Sequence, residues 1–321
     1  MKLGYLYGGK LKGSVDLGTD PYTGLPSTLT VPGGFFPRTV GTVFFVDGST
    51  GDNDNDGLSQ GTAFNTITYA LTQCTSGEND VIFCFNMWDQ EPGVITVNKT
   101  DVHIFGVGLP TAPAAYLPAI GDNPVFRLLS SGNGVEIAGF TLGGGDNNPG
   151  IEINNCYTAW LHDLWFGHVG VGDTPQDGIR NDAGLHNYAN LLVENCKFFG
   201  SLGPGKGAIS RYGIFFNASG INGQNAQFVN NRFFNVGYAI RIVYGIDQLI
   251  EHNYIKIPTD DAIGRGIYYH QGAGSLIANN KATDDGADAM TNAAYYDNVV
   301  ASNAWLCNQE GILDVFPDTT L

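Results

Sequence analysis

Two Asp pairs hold the densest acid–base potential in the chain. Asp260-Asp261 and Asp284-Asp285 are 24 residues apart, and each pair follows a short apolar segment. Glycoside hydrolysis needs one carboxylic acid to protonate the glycosidic oxygen and one carboxylate to activate water. If 24 residues make one turn of a coil, the two pairs stack and place four carboxylates on one face. Corner Asp residues also stack in coils for structural reasons alone, so Asp260, Asp261, Asp284 and Asp285 are catalytic candidates only if the protein is an enzyme.

A second acidic group is the run Asp52-Asn53-Asp54-Asn55-Asp56-Gly57. Oxygen ligands at alternate positions followed by a turn Gly match the first half of a Ca²⁺ loop, which makes Asp52, Asp54 and Asp56 a Ca²⁺ candidate. The twelfth position is Ala63, where such a loop needs a bidentate Glu. The competing reading is an exposed Asp/Asn turn. The six His (His103, His162, His168, His186, His252, His270) share no metal-ligand spacing, and no phosphate loop, dinucleotide fingerprint or nucleophile motif is present. Aromatic residues cluster in strand-like or loop-like text: Trp88, Tyr157, Trp160, Trp165, Tyr188, Tyr212, Tyr238, Tyr244, Tyr268 and Tyr269. Outward rings would stack sugars or fill a subunit interface, and inward rings would fill a core.

The elements that must position these groups are read from composition and period. The 321 residues include 45 Gly and only 14% charged residues, with 43% hydrophobic. Scarce Lys, Glu and Arg argue against a helical bundle and for an all-β chain with many tight corners. A formal charge of −16 opposes nucleic-acid binding. No apolar run approaches the roughly 18 residues of a membrane span, and the opening MKLGYLYGGKLKGS lacks the apolar centre of a signal peptide. Five Cys without metal-type spacing suggest a reducing compartment and no disulfide frame.

From about residue 80 a pattern recurs: VEIAGFTL, AWLHDLWF, LLVENCKFF, QFVNNRFF, LIEHNYIKI, SLIANNKAT and VVASNAW. Its shared position is Gly139, Asp163, Asn195, Asn231, Asn253, Asn280 and Asn303. A unit of about 22–24 residues with insertions predicts a solenoid of short parallel strands, three per turn, around a narrow apolar core. Asn fits the corner because it tolerates left-handed backbone angles and its amide can ladder along the stack. Phe64, Ile67, Leu71 and Cys74 mark one face of a helix over 64–74, capped by Thr62 or Asn65, that closes the N-terminal end. An antiparallel sandwich explains short strands equally well, but not a helical cap followed by this unit.

The segment FVDGSTGDNDNDGLSQGTAFNTITYAL, with Asp47-Gly48, Asp56-Gly57-Leu58-Ser59 and Phe64-Asn65-Thr66-Ile67, resembles the opening of right-handed parallel β-helix proteins of the pectate-lyase-like superfamily. The resemblance implies an all-β, right-handed parallel β-helix with a short N-terminal capping α-helix over residues 42–305. The text Thr259 to His270 is similar to the Asp-Asp region of polygalacturonase-type hydrolases, whose other motifs are missing here. The superfamily spans lyases, hydrolases, epimerases and many phage appendages.

Residues 1–41 carry a charge of +2 against −18 for the remainder and read as an extended assembly arm, and residues 306–321 as a C-terminal tail. The leading expectation is a bacteriophage virion structural protein: a head decoration or tail appendage, made in the host cytoplasm and assembled as a homotrimer. It would contact other virion proteins through residues 1–41 and bind host-surface polysaccharide, with no nucleic-acid or membrane partner. The alternatives are a polysaccharide depolymerase and a non-catalytic carbohydrate-binding adhesion module.

Overall fold

A computed structural model describes residues 41–87, 91–107, 115–118, 123–143, 148–167, 177–181, 187–200, 212–217, 223–257, 265–284, 295–297, 303–310 and 313–314. It also describes the strands at 6–7, 10–11, 14–19 and 26–30. The chain divides into two compact units, Met1–Gly41 and Thr42–Leu321. In the first, Leu6–Tyr7 pairs antiparallel with Lys10–Leu11, and Ser14–Thr19 with Pro26–Thr30. The segment expected to be an extended arm therefore has hairpins of its own.

The second unit is a right-handed parallel β-helix. One turn shows how the sequence builds it. Val135–Ala138 alternates in and out, Gly139 turns the corner with φ of 78°, Phe140–Leu142 runs along the next face, and Pro149–Asn154 along the third. Stacking such turns yields a ten-stranded sheet from Val43–Asp47 to Ala304–Leu306. A nine-stranded sheet starts at Ala115–Leu117, and an eight-stranded sheet runs from Ile95–Val97 to Tyr295–Asp297. Four short strands, beginning with Tyr188–Ala189, fill the corner that leads from the eight- to the ten-stranded sheet.

Inward residues stack in register. Ile137, Leu161, Val193, Phe228, Ile250 and Ile277 form one fully buried column. Phe166, Phe198 and Phe233 form another, with successive rings 4.6 Å apart and nearly parallel. Each such side chain contributes roughly 1.5–3 kcal/mol by leaving water.

The corner between the ten- and nine-stranded sheets uses two adjacent positions for two purposes. The first is left-handed: Asp163, Asn195, Asn230, His252, Asn279 and Cys307 have φ between 51° and 58°. The second carries a buried amide ladder. Asn231, Asn253, Asn280 and Asn308 each accept, at 2.9–3.1 Å, the N–H of the matching residue one turn earlier, starting at Cys196. Each also donates to a strand carbonyl, as Asn280 does to Ile250 at 2.9 Å. The recurrent position inferred from sequence thus slips by one residue between Asn195 and Asn231, because Asn suits both sites. Asn303 belongs to neither, and accepts from Ser275 N–H at 3.2 Å at the corner preceding the ten-stranded sheet.

The helix, α1, spans Ile67–Gln73 and buries Ile67, Ala70 and Leu71 against the first turn. Thr66, rather than Thr62 or Asn65, caps it, its hydroxyl accepting the Tyr69 N–H at 3.1 Å. The sheets also run past the expected end at 305. Gln309–Glu310 pairs with Lys281 and Ala282, and Leu313–Asp314 folds back onto it.

Candidate functional site

Pleating aims alternate residues of the eight-stranded sheet outward. With Ile151, Ile179, Ile214, Ile240 and Ile267 buried in the core, one outward column runs Arg127, Glu152, Arg180, Phe215, Arg241, Tyr268 and Tyr296 in register. Its lower half is ion-paired. Arg127 Nε lies 2.7 Å from Glu152, and Arg180 lies 2.9 Å from the fully buried Asp177. Its upper half is aromatic. The Arg241 guanidinium sits 5.2–5.6 Å from the ring centres of Tyr212, Phe215, Tyr238 and Tyr268, and donates to the Tyr212 hydroxyl. Tyr268 stacks on Tyr296 at 4.7 Å and on His270 at 6.2 Å.

Three nitrogens on this face are buried without a hydrogen-bond partner among the described residues: Arg180 Nε, Arg241 Nε and His270 Nδ1. Unmade hydrogen bonds of this kind cost about 1–3 kcal/mol each. Guanidinium donors beside ring faces suit a ligand that offers both oxygens and C–H faces, as sugars do.

The ten-stranded sheet carries a separate titratable cluster on its outer side. His103 Nδ1 is 2.7 Å from Glu136 Oε2, Glu136 Oε1 is 2.9 Å from His162 Nε2, and His162 Nδ1 is 2.8 Å from Asp163 Oδ2. Asn195 also donates to Asp163. Burial works against the charged forms of all three shifted groups. Even so, the contacts with His103 and His162 hold Glu136 below the usual carboxylate range, and His162 and then Asn195 do the same for Asp163. Against its own burial, the hydrogen bonds His162 donates to Asp163 and Glu136 in turn raise it to about 9. Both nitrogens of His162 face carboxylates, so it is held as an imidazolium and not poised as a base near neutrality.

Of the catalytic candidates, Asp284 ends the strand Lys281–Asp284 with its main chain paired to Ile257, while Asp260, Asp261 and Asp285 lie outside the described residues. Asp52, Asp54 and Asp56 lie in a loop braced by its own side chains. Asp52 accepts the Asp54 N–H, Asp56 accepts Leu58 N–H and the Thr62 hydroxyl, and Asn53 accepts Asn65 N–H. Among the described residues no group of three or more His, Cys, Asp or Glu is placed to hold a metal. The aromatic candidates sort cleanly. Tyr188 and Tyr269 are core, whereas Tyr212, Tyr238 and Tyr268 face out beside Arg241. Trp88 lies outside the described residues.

Arg241 and the cluster around Glu136 were not marked by sequence motifs. Apart from Tyr238, which shares a strand with Arg241, their partners are 26 to 33 residues away, one turn in space, and the register of the strands brings them together.

Neither a known protein family nor a curated protein sequence matches the chain. Among solved structures, the GH136 lacto-N-biosidase from Eubacterium ramulus superposes with a TM-score of 0.51 at 12% identity, over 84% of this chain and 55% of that one. Its selenomethionine form gives 0.49 at 14% identity, over 84% and 56%. ORF18 of Geobacillus virus E2 gives 0.36 at 12%, over 84% and 62%. The chain thus spans about half the length of the lacto-N-biosidase, and likeness at this identity shows the shared fold alone.

Proposed function

We propose that this protein is a surface-attachment module that binds a glycan along the outer face of its eight-stranded sheet, without cleaving it. The observation that carries this reading is the partly exposed cluster on that face in which Arg241 packs among Tyr212, Phe215, Tyr238 and Tyr268. Ring faces and fixed donors recognise sugars, and a stack of turns repeats them along one direction, as an extended glycan requires.

The setting proposed is a virion, as a head decoration or tail appendage and as a homotrimer, with the Met1–Gly41 unit serving assembly. The division of the chain at Gly41 into a small hairpin unit and a β-helix supports separate attachment and binding parts.

Binding to arrayed bacterial surface glycans tests the reading, with Arg241→Ala and Tyr268→Ala expected to weaken the selected ligand at least tenfold. Equal binding by both variants would overturn it, and release of new reducing ends would replace it with a depolymerase. Detection of the protein in purified particles, with its mass in solution, tests the virion setting.

A further inference from the structure

We infer that the outer face of the nine-stranded sheet is a separate binding strip for an anionic polysaccharide. In one register column Trp165, Lys197, Arg232, Tyr254 and Lys281 follow one another on successive turns. Beside it run Phe199, Phe234, Lys256 and Thr283. Between these columns Phe198, Phe233, Ile255 and Ala282 point into the core and are buried, so both columns face outward.

Cations and rings interleave along the strip. Lys197 Nζ lies 4.1 Å from the Trp165 ring centre, and Trp165, Phe199, Phe234 and Tyr254 follow one another at 5.7, 5.4 and 6.1 Å. Arg232 and Lys281 are exposed, and among the described residues neither enters an ion pair. The five strands from Trp165–Phe166 to Lys281–Asp284 hold one carboxylate in their sequence, Asp284 at the final position, and Glu310 and Asp314 follow on the two terminal strands of the sheet. In a chain of 15 basic and 31 acidic residues, Lys197, Arg232, Lys256 and Lys281 gather four cations on one sheet face, with Asp163 at the adjoining corner near Lys197.

The chemistry of the occupant follows. Four neighbouring strands from Lys197 to Lys281 extend about 14 Å at the spacing of parallel strands. That flat row suits an extended polymer carrying negative charge, with C–H faces for the rings. A uronate or sulfated chain offers both. Duplex nucleic acid, with a charge every ~1.7 Å, meets stronger repulsion from the −16 protein. The strip is independent of the face that holds Arg241.

The test measures binding of the full chain to polygalacturonate, heparin, neutral dextran and oligo(dT). Wild type should bind polygalacturonate or heparin, weaken as salt rises, and ignore dextran. R232Q/K281Q should lose at least tenfold, with an unchanged melting temperature, while R232K restores most of the binding and R241A keeps it. No binding of either acidic glycan, an unaffected R232Q/K281Q variant, or oligo(dT) bound as tightly would overturn the inference. Loss with R241A alone would also overturn it while leaving the eight-stranded face as the glycan site.

Discussion

Glu136 and His162 are 26 residues apart in sequence, yet Glu136 Oε1 lies 2.9 Å from His162 Nε2 on neighbouring turns. This contact and the one with Asp163 raise His162 to about 9, above the ordinary value near 6.5. A raised His favours folding while it is protonated. That stabilisation is complete below pH ~6.5 and fades as pH climbs through about 9. The urea stability gap between wild type and His162→Gln should therefore shrink over that interval, by on the order of 2 kcal/mol. A gap that stays constant would show that folding does not alter His162 protonation.

The adjacent corner residues Asn279 and Asn280 should fail for different reasons. Asn280 is fully buried, accepts from the main chain and side chain of Asn253, and donates to Ile250 and Asn308. Asn280→Ala leaves these groups unpaired and should cost about 2–4 kcal/mol. Asn279 has φ of 55°. There Gly should be tolerated, and Val should cost roughly 1–2 kcal/mol through left-handed strain. Denaturant unfolding of the three variants separates hydrogen bonding from backbone geometry.

Thiol labelling should distinguish one cysteine from four. Cys74, Cys84, Cys156 and Cys196 are buried and Cys307 is exposed. Burial raises the thiols of Cys74 to about 12 and Cys156 to about 11, which suppresses the reactive thiolate. Mass spectrometry after brief iodoacetamide treatment should find one adduct on the native protein, at Cys307, and five after denaturation. Rapid labelling of a second site in the native protein would contradict this packing.

Removing the Glu91 carboxylate should loosen the N-terminal cap. Glu91 accepts the N–H groups of Ile67 and Thr68 at 2.5 and 3.2 Å, and the Thr68 hydroxyl at 2.7 Å. Those amides open α1, and nothing else in the helix can accept them. Glu91→Ala should cost about 2–3 kcal/mol, more than the ~1 kcal/mol expected for Thr66→Ala. Hydrogen exchange should quicken at Ala70 and Leu71 before it does so in the central turns.

Much of this was written locally. The scarcity of helix-forming charged residues, the alternation in segments such as VEIA, and the run after Phe64 each dictate an element without help from the rest of the chain. Asn at the corners was equally legible. Which Asn ladders and which adopts the left-handed angle was not, because Asn230 and Asn231 are chemically identical and only their burial separates them.

The sites were decided by tertiary structure. Alternation tells whether two residues of one strand share a face, but the register between turns depends on the loops. Successive left-handed corners at Gly139, Asp163, Asn195 and Asn230 are 24, 32 and 35 residues apart. No fixed spacing links His103, Glu136 and His162, or Arg241 and the rings of Tyr212, Phe215 and Tyr268 on neighbouring turns. Hydrogen bonding between strands sets those neighbours, and core burial chooses which side of each strand faces in. The sequence therefore determined the repeating unit, while the stacking of unequal turns determined which side chains meet on its outer faces.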